Sequence, residues 1–169
     1  MLRHSIASIL LALLLSGCEG DPAATTAPGS SPSAATPSTI AADANPLVTV
    51  YKTPTCGCCT KWADYLEDQG FEVALHDVDD LGPIKDRLGV PRDLRSCHTA
   101  TIGEHVIEGH VPVGDIHRFL DTEGGGVLSV PGMPLGSPGM EHPSGSEAYE
   151  SVLVRRDGTA EIFEHHPGD

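Results

Sequence analysis

Five cysteines occur in the 169-residue chain, and three of them fall within four positions: Cys56, Cys58 and Cys59, in the stretch YKTPTCGCCTKW at residues 51–62. Cys56 and Cys59 alone have the C-x-x-C spacing of a thiol–disulfide exchange pair, in which one thiolate attacks and the other thiol resolves. Cys58 makes the cluster denser in sulfur than a two-electron dithiol requires, and dense thiolate sets suit soft metal ions. A fourth cysteine, Cys97, is followed at once by His98 in RSCHTAT. His110, in EGHVPVG, is either a cap or surface residue or a further ligand, imidazole being the commonest metal-binding side chain. Met133 and Met140 stand in VLSVPGMPLGSPGM, beside Gly and Pro, with no helical or strand period to bury them. Their thioethers are soft donors and favour Cu(I) over Zn(II). His76 and His105 fall in strand patterns, and His142 and the His165-His166 pair near the chain end are weaker candidates for metal contact.

What cysteines can do depends on compartment. The chain opens MLRHSIASILLALLLSGC: a short basic start at Arg3 and His4, then an apolar run over residues 6–15. A membrane-spanning helix needs roughly 20 apolar residues, so residues 1–17 read as a secretory signal segment. The ending Leu15-Ser16-Gly17-Cys18 resembles the lipobox of bacterial lipoproteins, which makes Cys18 a lipid-bearing first residue with no part in the redox count. Glu19 at the next position favours the outer membrane in a two-membrane bacterium. The expectation is a lipid-anchored envelope protein on the periplasmic side. Residues 18–46 are a tether of Ala, Ser, Thr, Gly and Pro in which Ile40 is the one sizeable aliphatic side chain. Such a segment cannot bury enough surface to offset its ordering entropy. Lys and Arg total 10 against 24 Asp and Glu. A surface this acidic repels phosphate backbones and excludes nucleic acid as a partner. It is compatible with cations.

The elements that must position the cysteines lie in residues 47–169. LVTVYKT is β-rich and ends at Pro54, a strand meeting a loop. Residues 59–69 place Trp62 and Leu66 at i, i+4 before Gly70, a helix. FEVALHDV alternates Phe71, Val73 and Leu75 on one side of a second strand. PIKDRLG is a short helix with Pro83 in its first turn and Gly89 at its end. TATIG and EHVIEGH pair about Gly103, and PVGDIHRFL sets Val113, Ile116 and Leu120 on one face of a third helix that His110 opens. Strand, helix, strand, helix, hairpin, helix is the order of the thioredoxin fold, so the class is α/β and thioredoxin-like. The cysteine loop then sits at the carboxyl edge of the first strand, where sites in α/β sheets lie. A helix starting there turns its free N–H groups and positive dipole end toward sulfur and favours thiolate. Beyond Leu120 come the Gly/Pro/Met-rich loop from residue 127 and a β-hairpin about Asp157-Gly158, a C-terminal extension able to lengthen the sheet or cover an edge.

In that fold the loop entering the third strand normally supplies a cis-proline facing the C-x-x-C. Here no proline lies between Pro91 and Thr99, and Cys97-His98 takes its place. Four sulfurs and an imidazole then converge, a set suited to Cu(I), Zn(II) or an iron–sulfur centre. Two structural disulfides are the bland alternative. Adjacent Cys58 and Cys59 rarely bridge each other, and two strain-free bridges among these four are hard to arrange.

YKTPTCGCCTKW, SCHTATIGEHVIEGHVPVGDIHRFL and VPGMPLGSPGME together resemble the thioredoxin-like metal-binding family that includes the CopG copper-resistance proteins of bacteria. The likeness runs from Leu47 to about Phe163. It implies periplasmic copper handling, with several copper ions held at Cys56, Cys58, Cys59 and Cys97 with His and Met support, and interconversion of Cu(I) and Cu(II). Placing His98, His110, Met133 and Met140 in that site rests on their donor chemistry. Zinc is the less suited ion. The expected partners are copper ions, a periplasmic copper chaperone or oxidase, and a membrane through the lipid anchor. The competing readings are a metal-free thiol–disulfide oxidoreductase, with Cys56 as the exposed nucleophile and Cys59 resolving, and a passive copper sponge or chaperone.

Overall fold

A computed structural model describes residues 46–169. The signal segment, Cys18 and the tether up to residue 45 lie outside the described residues. No helix among the described residues is long and apolar enough to cross a membrane.

The chain runs β1 (Leu47–Lys52), α1 (Gly57–Asp68), β2 (Glu72–Asp77), α2 (Gly82–Arg87), a 3-10 turn (Arg92–Leu94), β3 (His98–Ile102), β4 (His105–Glu108), α3 (Val113–Leu120), β5 (Gly126–Ser129), β6 (Tyr149–Val154) and β7 (Ala160–His166). All seven strands form one mixed sheet in the order β2-β1-β3-β4-β5-β6-β7. β1 pairs in parallel with β2 and antiparallel with β3, and β4 is antiparallel to β3 and parallel to β5. The α/β thioredoxin-like order expected from the sequence is therefore present.

Period decides what is buried. Val48 and Val50 alternate inward from β1, Trp62 and Leu66 share one face of α1, and Ile116 and Phe119 share one face of α3. These meet Ile107, Leu128 and Leu153 in the main core. Two details differ from the sequence reading. Leu75 is 43% exposed, because β2 is an edge strand with a neighbour on one side only. Phe119, rather than Leu120, carries the lower face of α3, and Leu120 packs at its margin.

The Gly/Pro-rich stretch begins with a strand that its composition conceals. β5 lies beside β4 with Ile107 opposite Leu128; at four residues it is too short to show a period. β6 pairs with β5, so the C-terminal hairpin lengthens the sheet rather than capping it. The hairpin is fastened to α3 by Asp115, whose buried carboxylate accepts from Ser151 Oγ at 2.5 Å and pairs with His166 Nε2 at 2.8 Å and Arg118 at 2.7 Å.

Candidate metal centre

β1 ends at Lys52, and the turn after it is closed by the Cys56 N–H donating to Thr53 O at 3.1 Å. Cys56 occupies the N-cap of α1, and Gly57, Cys58 and Cys59 form its first turn. All three cysteines therefore stand at the positive end of the helix, among amide N–H groups with no carbonyl partner within the helix. Cys59 is fully buried beneath that turn; Cys56 and Cys58 are half-buried. Cys56 and Cys59 are joined as a disulfide, while Cys58 and Cys97 are free thiols. The expectation of Cys56 as an exposed thiolate is corrected here: its sulfur is bonded to Cys59, so both become donors only on reduction.

Cys97 arrives from the opposite side. β3 pairs antiparallel with β1, with His98 opposite Lys52, and this register sets the Cys97-His98 entry against the cysteine turn. Cys59 Sγ and Cys97 Sγ are 3.4 Å apart, and Cys58 Sγ is 3.5 Å from Cys56 Sγ. All four sulfurs lie within 4.8 Å of one another. A second donor set shares Cys97: His98 Nδ1 is 3.4 Å from its sulfur and His110 Nε2 is 3.1 Å away, and both imidazoles are fully buried.

His110 does not open α3. It sits in the turn before Val111 and Pro112, and α3 starts at Val113. Gly109 makes that turn possible. At φ +75° a Cβ there would lie 2.5 Å from Val130 O and 2.6 Å from Ser96 Cβ, so only glycine lets the backbone press His110 against Cys97. Trp62 secures the same corner, donating its Nε1–H to Val111 O at 3.0 Å and packing its ring 4.4 Å from that of His98.

The Gly/Pro/Met-rich loop closes over the cysteine turn. Gly139, at φ +81°, approaches so closely that a Cβ would be 2.8 Å from Trp62 N and 2.9 Å from Cys58 O. Pro138 O lies 2.8 Å from His110 Nδ1. A carbonyl only accepts, so that nitrogen carries the proton and the Nε2 lone pair faces Cys97, the orientation in which a histidine ligates. Met140 is half-buried in this loop, its N–H donating to Ser137 O at 2.8 Å; Met133 is 53% exposed beside Gly132, which bridges to Ser96. Six of the eight candidate ligands thus converge, and the two methionines ride on the segments that flank them. His165 and His166 are occupied elsewhere, by Glu150 and Asp115, His142 bonds Ser144, and His105 packs edge-on to Phe119.

Burial sets the protonation states. It pushes the Cys97 thiol up to about 12, and the neighbouring Cys58 adds to the rise. It holds His98 well below the ordinary imidazole range, with His110 and Lys85 acting in the same direction. His110 is lowered by burial, against the opposing pull of the Pro138 carbonyl and Glu141. At neutral pH the site therefore offers neutral imidazoles with a lone pair each, and a Cys97 thiol whose proton a metal must displace. The donors fit a soft cation: sulfur and imidazole nitrogen make up both sets, and among the described residues no carboxylate joins either.

Fold and site together define a thioredoxin-like domain in which a sulfur-rich, metal-capable cluster replaces the usual proline-faced dithiol. A glutaredoxin family model matches residues 48–90, and a family described as "Protein of unknown function, DUF411" matches residues 94–140. Two solved structures, Form 1 and Form 2 of a copper resistance protein CopG, are each 40% identical, with TM-scores of 0.71 and 0.72. They cover 74% and 73% of this chain and 100% of their own. The chain belongs to the CopG copper-resistance family. No curated protein sequence matches it significantly.

Proposed function

We propose that the protein binds copper in the bacterial envelope, on the periplasmic side and tethered through Cys18, as part of copper resistance. It holds Cu(I) through Cys56, Cys58, Cys59 and Cys97, with His98 and His110 as nitrogen donors and Met133 and Met140 as sulfur donors from the covering loop. The observation that carries this reading is the convergence of four sulfurs within 4.8 Å beside two buried imidazoles. Copper is cargo here, and thiolates select its reduced form. The redox balance is simple. Closing the Cys56–Cys59 bond releases two electrons and two protons, enough to reduce two Cu(II) ions to Cu(I), and leaves Cys58 and Cys97 as the thiol donors; reopening it takes two electrons and two protons from a thiol reductant and restores all four.

Anaerobic loading of the reduced protein with Cu(I), with copper counted per chain, tests the reading. Cys58→Ser is expected to lower affinity severely, because it removes the sulfur that a dithiol does not need. Unchanged stoichiometry and affinity in that variant would sink the proposal.

One observation favours a second reading, a metal-free thiol–disulfide oxidoreductase: Cys56 and Cys59 are already bonded. It predicts turnover of mixed disulfides without metal that survives Cys97→Ser. The copper reading predicts no such turnover.

A further inference from the structure

Behind the cluster lies a pair of buried charges that the copper-binding residues do not include. Lys85 of α2 and Glu108 of β4 are both buried, and Lys85 Nζ meets Glu108 Oε1 at 2.5 Å and Thr99 Oγ1 at 2.7 Å. Thr99 Oγ1 donates to the other carboxylate oxygen, Oε2, at 2.6 Å. The remaining bond leaves this triangle: the Ser96 backbone N–H donates to Glu108 Oε1 at 2.6 Å. Ser96 is the residue before Cys97, and Thr99 follows His98. The network thus grips the chain on both sides of the Cys97-His98 pair.

Purely structural burial of two charges is a poor bargain, since an apolar pair of similar volume is often as stable or more so. Placement gives the pair a second use. A cis-proline would normally fix the geometry of this entry by its ring; Cys97-His98 has no such constraint, and a charged carboxylate accepting from Ser96 N–H supplies one. Hydrogen bonds to an ionised acceptor are shorter and stronger than neutral ones. The Ser96 side chain adds a tie on the outer side by donating its hydroxyl to Gly132 O.

We infer that Lys85, Thr99 and Glu108 form a positioning network that holds Cys97 in register with Cys59, replacing the proline of other thioredoxin-like proteins. Glu108 is the acceptor that sets the backbone, and Lys85 and Thr99 fix that carboxylate in place. Its consequence for copper rests on the proposed copper-binding role; its consequence for sulfur placement does not.

Two double variants separate positioning from mere stability. Lys85→Met with Glu108→Gln removes both charges and keeps an amide oxygen for Ser96 N–H. Lys85→Met with Glu108→Leu removes the acceptor as well. The first readout needs no metal. With Cys56→Ser and Cys58→Ser as background, only Cys59 and Cys97 remain among the described residues, and diamide, a two-electron thiol oxidant, closes them into a bridge at a rate set by their approach. The Gln variant is expected to bridge near the background rate and the Leu variant at least tenfold more slowly. In chains with all cysteines present, Cu(I) competed against a chromogenic chelator should be held about 10–100-fold more weakly by the Leu variant than by the Gln variant, as for other residues that orient metal ligands. Should the Leu variant not fold, Thr99→Val keeps the side-chain volume and removes the hydroxyl that holds Glu108 Oε2, and it is expected to bridge more slowly than the background. Equal bridging rates in whichever of these folds would overturn the inference. Failure of the parent protein to bind copper would instead overturn the copper reading, and the bridging rates would still decide this one.

Discussion

Gly139→Ala is the substitution for which the structure gives the clearest magnitude. Two costs add. At φ +81° any side chain meets the left-handed penalty, roughly 1–2 kcal/mol. The new Cβ would also lie 2.8 Å from Trp62 N and 2.9 Å from Cys58 O. Both are backbone atoms in the first turns of α1, so no rotamer change relieves the overlap. Overpacking of this kind costs roughly 1–3 kcal/mol, and the total is about 2–5 kcal/mol. For a domain of this size that corresponds to a melting temperature lowered by roughly 10 °C. Gly158→Ala is the internal control: its φ is +86° with nothing within 4 Å of the added carbon, so it carries the conformational cost alone. Thermal melts of the reduced, metal-free protein by far-ultraviolet circular dichroism compare the two. The loop that moves also carries Pro138 O, so Gly139→Ala should weaken copper retention while Gly158→Ala leaves it intact. If Gly139→Ala melts no lower than Gly158→Ala, the loop does not press on the cysteine turn as described.

Three further outcomes follow from the same geometry. Cys97 is pushed up to about 12 by burial, so above pH 9 the unfolded chain loses a proton that the folded one keeps. Stability of the metal-free protein should therefore fall with rising pH, by up to about 1.4 kcal/mol per unit. Urea midpoints at pH 8.5 and 10 check this, and Cys97→Ser should flatten the slope. His98 is shifted the other way by burial; below pH 6.5 the unfolded chain takes up a proton that the folded one refuses, so stability should drop between pH 7 and pH 5, and less so in His98→Gln. Asp115→Ala leaves the fully buried Ser151 hydroxyl without its carboxylate, a loss of about 1–3 kcal/mol, and amide hydrogen exchange should quicken across β6 and β7. Unchanged exchange there would mean that the hairpin is held by strand pairing alone.

Much of this was legible in the residues because local signals and the global fold agree. The C-x-x-C before an amphipathic helix, the Cys-His where a proline is usual, and the Asp157-Gly158 turn each report a local geometry that the fold then uses. β5 was hidden because four residues between Gly and Pro carry no measurable period. His110 was ambiguous for a different reason: its approach to Cys97 depends on Gly109 passing Ser96 and Val130, a contact between segments far apart in the chain. The Lys85–Glu108 pair was invisible for the same cause, since a lysine on a short helix and a glutamate ending a strand look solvent-facing until α2 is laid over β3 and β4. The disulfide likewise could not be read from spacing alone, because C-x-x-C serves dithiol, disulfide and metal equally.

The central claim is that copper sits among the sulfurs of Cys56, Cys58, Cys59 and Cys97. X-ray absorption at the copper edge, on reduced protein loaded anaerobically with Cu(I), reads the ligands directly. The account predicts a Cu(I) edge with a sulfur-dominated first shell that loses sulfur in Cys58→Ser and again in Cys97→Ser. A shell of nitrogen and oxygen alone, unchanged by either substitution, would contradict it.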